Sequence, residues 1–116
     1  MTDPNCLFCK IAAKQIPSAI VHEDEEMVAF RDIAPQVPVH IVLVPRVHCA
    51  GLNDLTADLA PVIGRIALVA RDLAGRMGIA ASGYRLVANC GPDAGQTVHH
   101  LHFHLLGGAP MGGRMA

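Results

Sequence analysis

Histidines 100, 102 and 104 take alternate positions in an otherwise apolar run, His100-Leu101-His102-Phe103-His104-Leu105-Leu106. In a β-strand alternate residues share a face. This spacing therefore predicts a strand that turns three imidazoles to one side and Leu101, Phe103 and Leu105 into a core. Buried neutral imidazoles need hydrogen-bond partners, and charged ones repel each other. Packing alone gives no reason for three in a row, so the run reads as a chemical face on one strand.

The flanking sequence predicts the elements around that strand. Leu7 to Lys14 is a short helix stopped by Ile16-Pro17. Ala19 to Glu23 and Met27 to Arg31 are strands joined as a hairpin by the acidic turn Asp24-Glu25-Glu26. Val39 to Val44, between Pro38 and Pro45, is an aliphatic strand with both faces covered. Leu59, Val62, Ile63, Ile66, Ala70, Leu73 and Met77 recur at steps of three and four, the stripe of one amphipathic helix. Asp58 is its expected N-cap, Pro61 falls in its first turn, and Gly78 is its C′ residue. Strands Tyr84 to Asn89 and Val98 to Leu106 complete an antiparallel α+β sheet. The expected organisation is one domain over residues 1–116, with a core at 6–108 and a tail at 109–116.

Composition narrows the function. A formal charge of −1 gives no electrostatic footprint for nucleic acid or for an anionic membrane. No segment reaches about 18 uncharged apolar residues, and the N-terminus lacks a basic, apolar leader, so a cytoplasmic protein is expected. Four cysteines in such a chain point to thiols or metal ligands rather than a disulfide framework.

Three further segments carry candidate chemistry. Asn89-Cys90-Gly91-Pro92-Asp93-Ala94-Gly95-Gln96-Thr97-Val98 joins two strands, and beside the histidines its glycines let backbone N–H groups approach an anion, with Asn89 and Thr97 as side-chain donors. It has no lysine-bearing phosphate loop, so a triphosphate held through Mg²⁺ is not indicated. Asp32, after a strand, is either a turn former or a fixed carboxylate. The pair Cys6-Leu7-Phe8-Cys9 is redox-active, buried, or half of a metal site.

The run His100 to Leu106 has the form His-φ-His-φ-His-φ-φ, with φ apolar, and resembles the signature of the histidine-triad superfamily. Phe8-Cys9-Lys10-Ile11, Ala29-Phe30-Arg31-Asp32-Ile33, Pro38-Val39-His40, Val44-Pro45-Arg46-Val47-His48, Asn89-Cys90-Gly91 and Gly95-Gln96-Thr97-Val98 follow in that family's order, so the likeness runs from about Cys6 to Gly108 and is nearest the small Hint branch. It implies a HIT-like fold: five antiparallel strands, a short N-terminal helix and a long one, dimerising into a continuous sheet. His102 is then the nucleophile, since a histidine nitrogen can form a covalent phosphoramidate. The backbone carbonyl of His100 holds its other nitrogen protonated, and His104 and His40 donate to phosphate or leaving-group atoms. Thr97 and Val98 N–H, helped by Asn89, meet the α-phosphate, with Gly95 and Gln96 also counted as substrate-binding; Asp32 accepts from the ribose; Ile33, Phe8 and Phe30 line the base pocket.

The resemblance also implies a Cys₂His₂ zinc site of Cys6, Cys9, His48 and His100, structural because four protein ligands leave no open position. Cys49 and His99 are nearby alternatives, His99 ranking lower because strand alternation turns it from His100. The expected partners are a purine nucleotide and a second copy of the chain. The leading activity is hydrolysis of nucleoside 5′-phosphoramidates or aminoacyl-adenylates through a nucleotidyl-histidine, releasing a nucleoside monophosphate. A dinucleoside polyphosphate hydrolase, and a zinc-stabilised nucleotide-binding scaffold, are the alternatives. Hint-like tails commonly carry a tryptophan; this chain has none, and Arg114 and Met115 are the residues expected to reach a partner's leaving group instead.

Overall fold

The computed structural model describes residues 3–113, so Arg114 and Met115 lie outside the described residues. Strands β1 (Ile20–Glu23), β2 (Met27–Arg31), β3 (Val39–Pro45), β4 (Tyr84–Val87) and β5 (Phe103–Gly107) form one antiparallel sheet in the order β1-β2-β3-β5-β4. Helices α1 (Leu7–Ala12) and α2 (Ala60–Arg76) pack on it. This is the expected α+β arrangement of five antiparallel strands with one short and one long helix, and the hairpin at Asp24–Glu26 and the doubly covered β3 stand as expected.

Alternation divides the sheet into two working faces. Met27, Ala29, Ile41, Leu43 and Leu105 pack against Val62, Ile66, Ala70 and Leu73 of α2. Val28, Phe30, Val42 and Val44 pack instead against Phe8, Cys9, Ile11 and Ala12 of α1. The second face is where the histidines gather. Val42 pairs with His104 and His40 with Leu106, which makes His40 and His104 diagonal neighbours on that face.

Several boundaries differ from the sequence reading. Helix α1 ends at Ala12 rather than Lys14, because Lys14 takes a left-handed φ of 60° and Gln15 N–H turns back to the Lys10 carbonyl at 2.8 Å. Asp58 does not cap α2: the helix starts at Ala60 with no side-chain cap, and a turn through Thr56, whose carbonyl accepts from Leu59 and Ala60, leads into it. Pro61 still falls where its missing N–H costs nothing, and Gly78 takes the expected left-handed φ of 76°. Strand β4 stops at Val87 rather than Asn89, and β5 begins at Phe103 rather than Val98. His100 and His102 therefore precede the strand, yet the alternation persists: the three imidazoles lie on the α1 side and Leu101, Phe103 and Leu105 on the α2 side, with His100 facing Cys6 and Cys9 rather than the pocket.

Among the described residues, no helix is long and apolar enough to cross a membrane.

Candidate active site and metal cluster

A pocket of about 590 Å³ opens on the α1 face of the sheet. Phe8, Ile11 and Leu7 of α1, Phe30 and Val42 of the sheet, and Ile16 and Pro17 supply apolar wall; Asp32, His40, Asn89, Thr97, His102 and His104 supply polar groups. Ile33 stands on the rim, 97% exposed, while Phe8 and Phe30 are buried core residues and pocket wall at once. The loop returns at Gly91 and Gly95, whose φ values of 87° and 83° lie in the region glycine tolerates.

Hydrogen bonds settle which nitrogen of each ring carries a proton. His102 Nδ1 lies 2.6 Å from the backbone oxygen of His100; a carbonyl only accepts, so Nδ1 is protonated and Nε2 keeps its lone pair for the pocket. His40 Nδ1 accepts from the Gln36 N–H at 3.2 Å, which puts the His40 proton on Nε2. That nitrogen donates to His104 Nδ1 at 2.9 Å, with an Asp32 carboxylate oxygen 3.4 Å away. His104 is left with a proton on Nε2. An unprotonated ring nitrogen on His102 and an N–H donor on His104 thus stand side by side, their ring centroids 5.0 Å apart. Burial, helped by the neighbouring His102 and His40, holds the His104 pKa down to about 4, which keeps that ring neutral.

His100 is fully buried and directs its side chain elsewhere. Its Nε2–H donates to the Pro45 carbonyl at 2.7 Å, so its Nδ1 lone pair points among Cys6 Sγ at 3.2 Å, Cys9 Sγ at 3.4 Å and His48 Nδ1 at 3.3 Å. Cys9 Sγ is 3.5 Å from His48 Nδ1. A tetrahedral zinc with Zn–N and Zn–S bonds of about 2.0 and 2.3 Å has donor–donor edges of roughly 3.3–3.8 Å, so the four atoms fit that ion. Burial lowers the His100 pKa to about 4, against the pull of the Pro45 carbonyl, and leaves Nδ1 free of a proton. Cys49 instead donates to the Gly51 carbonyl, and the exposed His99 lies outside the cluster.

Asp32, His40 and His104 also bring three donor atoms within 4.8 Å of one another. Here the Gln36 N–H already occupies His40 Nδ1, so the nitrogen facing the cluster bears a proton and cannot ligate.

The HIT domain family model matches residues 13–111. The chain belongs to the HIT domain family. It is 44% identical over 110 residues to the purine nucleoside phosphoramidase of Escherichia coli (strain K12), covering 95% of this chain and 92% of that one. A 14 kDa zinc-binding protein of Zea mays is 42% identical over 113 residues, covering 96% and 88%. The solved HIT family hydrolase of Clostridium thermocellum superposes with a TM-score of 0.95 at 45% identity, covering 99% and 100% of the two chains. This HIT protein is accordingly an enzyme of the hydrolase type.

Against the residues singled out from sequence, the HIT pocket brings together Phe8, Phe30, Asp32, Ile33, His40, Asn89, Gly95, Thr97, Val98, His102 and His104. Gln96 does not line it. Its Oε1 accepts from Gly91 N–H at 2.9 Å, and its Nε2 donates to the carbonyls of Ala50 and Val98 at 2.7 and 3.1 Å. Its side chain fastens the loop from behind. Gln36 was not anticipated, though its main-chain N–H fixes the His40 tautomer; the signal was the Pro35-Gln36-Val37-Pro38 turn shortly before His40.

Proposed function

We propose that the chain hydrolyses purine nucleoside 5′-phosphoramidates, or the related aminoacyl-adenylates, in two displacements at the α-phosphorus. The observation that carries this reading is the His102 Nδ1–H bonded at 2.6 Å to the His100 carbonyl, which leaves Nε2 as a lone pair in a pocket beside the N–H of His104. His102 Nε2 forms a bond to phosphorus while the P–N bond to the amine breaks. The leaving nitrogen takes up a proton from solvent while the His104 Nε2–H donates a hydrogen bond to the reacting group. Water then attacks the nucleotidyl-histidine, breaks the N–P bond, and gives up one proton to solvent as the nucleoside monophosphate departs. Splitting one displacement into two is what covalent catalysis contributes.

The remaining pocket groups bind and orient. Asp32 presents a carboxylate to ribose hydroxyls, and Oδ1 is already held by the Ala34 N–H at 2.8 Å. Phe8, Phe30 and Ile33 receive the base, and the 95–98 segment with Asn89 receives the phosphate. Cys6, Cys9, His48 and His100 hold one zinc as a closed site, which supplies folding energy rather than chemistry. The relatives named a phosphoramidase and a zinc-binding protein support the two halves of this reading. A two-fold dimer through β4 and α2 would cover the open β4 edge of the sheet.

Incubation with adenosine 5′-phosphoramidate and with a dinucleoside polyphosphate, side by side, tests the reading. Faster turnover of the phosphoramidate, with a nucleotidyl adduct on His102 in the quenched protein, is expected. Preference for the dinucleotide replaces the substrate class; no turnover of either leaves a binding protein.

A further inference from the structure

The cysteine–histidine cluster and the His102 pocket share two members. His100 turns Nδ1 to the cluster, while its backbone oxygen accepts the His102 Nδ1–H. Phe8 sits in α1 between Cys6 and Cys9; its ring meets that of His102 edge-on, with centroids 4.9 Å apart at 82°, and meets Phe30 at 5.6 Å and His100 at 6.1 Å.

Helix α1 has six residues, too few to hold a helical shape without tertiary support. Its C-terminal end is fastened by Arg46, whose guanidinium donates to the Ala12 carbonyl at 2.9 Å. Its first turn is fastened at the sulfurs: Cys6 Sγ accepts from Cys9 N–H at 3.4 Å, Cys9 Sγ accepts from Asp3 N–H at 3.4 Å, and both sulfurs face His100 Nδ1. Phe8 projects from that turn into the pocket wall.

We propose that metal binding at Cys6, Cys9, His48 and His100 is thermodynamically coupled to nucleotide binding in the pocket, with Phe8 as the positioning residue that carries the coupling. Ligation fixes the first turn of α1, seats Phe8 against His102 and Phe30, and completes the wall that receives the base and ribose. A nucleotide pressed on Phe8 stabilises the same turn and so tightens the metal. Coupling of this kind is reciprocal by necessity. The inference rests on the pocket being a nucleotide site and adds that the cluster tunes it.

The test measures zinc affinity of the full chain by competition with a chromophoric chelator, with and without saturating AMP, beside calorimetric titration of AMP into the zinc-loaded protein. AMP is expected to lower the zinc dissociation constant on the order of tenfold, within the roughly 5- to 150-fold range of such couplings. In Phe8→Leu, that ratio should fall to about twofold or less, with zinc affinity in the absence of AMP little changed. A role confined to packing predicts the reverse: weaker zinc binding and an unchanged ratio. Phe8→Met is the second variant should the leucine protein fail to fold, and the wild-type ratio decides the matter regardless. Equal zinc affinity with and without AMP, in a protein that binds AMP, overturns the coupling and leaves the pocket reading intact. Failure to bind zinc overturns the coupling too, and failure to bind AMP overturns both.

Discussion

The Cys6–Cys9–His48–His100 cluster and the Asp32–His40–His104 cluster offer similar donor atoms at similar spacing, yet they are suited to different work. In the first, a backbone carbonyl, that of Pro45, takes the proton of His100 on Nε2 and leaves a lone pair facing the sulfurs. In the second, a backbone amide, that of Gln36, fills the lone pair of His40 and leaves a proton facing His104. One carbonyl against one N–H separates a set whose donor atoms fit a metal from a hydrogen-bond donor relay. Ligand type and spacing do not distinguish them; the partner of the far ring nitrogen does.

The largest test falls on the ring beside both clusters. His102→Ala should lower kcat/KM by more than about 10³-fold, because a covalent route disappears rather than an acid–base aid, while AMP binding survives in calorimetry. A residual rate above one part in about a thousand would move the nucleophile elsewhere.

Metal content tests the comparison directly. Elemental analysis of protein purified without chelator should give one zinc per chain in the wild type and in Asp32→Asn, and none in Cys9→Ser. The serine variant should also lose stability beyond the roughly 0.5–3 kcal/mol of an ordinary substitution. Two zinc ions per wild-type chain, falling to one in Asp32→Asn, would break the tautomer argument.

Much of this was legible in the sequence, for reasons that differ by region. Period-two and period-3.6 patterns placed β2 to the residue and α2 to within two, since burial enforces them over whole elements. The approach to β5 was misread because its apolar alternation continues upstream: Leu101 is still buried in the core, yet the chain from Val98 to His102 makes no ladder. The cap at Asp58 failed because the Thr56 carbonyl, a main-chain group invisible in side-chain chemistry, starts the first turn. Gln96 was misplaced for a related reason. A glutamine in a glycine loop looks like a ligand donor until the carbonyls that occupy it are known.

The two clusters should also respond to acid. The folded-state pKa of His104 lies near 4, below the ordinary imidazole value of about 6.5, so below pH 6.5 the unfolded chain takes up a proton that the folded chain refuses. Stability is therefore unaffected by this group above pH 6.5 and declines as pH falls from there towards 4. Urea midpoints measured across that window should fall with pH, and His104→Asn should flatten the slope. An unchanged slope would mean that the ring charges in place despite His40 and His102 beside it.

The smallest effect sharpens the contrast between groups that meet the ligand and groups that hold those that do. Gln96 joins Gly91, Ala50 and Val98, so Gln96→Ala removes three hydrogen bonds from a half-buried loop that water can partly reach. At about 0.5–1.5 kcal/mol net per bond, discounted for that water, the loss of stability should be about 1–2 kcal/mol. His102 is anchored through His100, not through this loop, so KM should rise several-fold while kcat changes little. Gln96→Glu separates the positioning role from a direct one. The carboxylate keeps the acceptor for Gly91 N–H but sets negative charge against the Ala50 and Val98 carbonyls, so stability should order as glutamine, alanine, glutamate. A side chain that touched phosphate itself would leave stability nearly level across the three and show its loss in substrate binding alone.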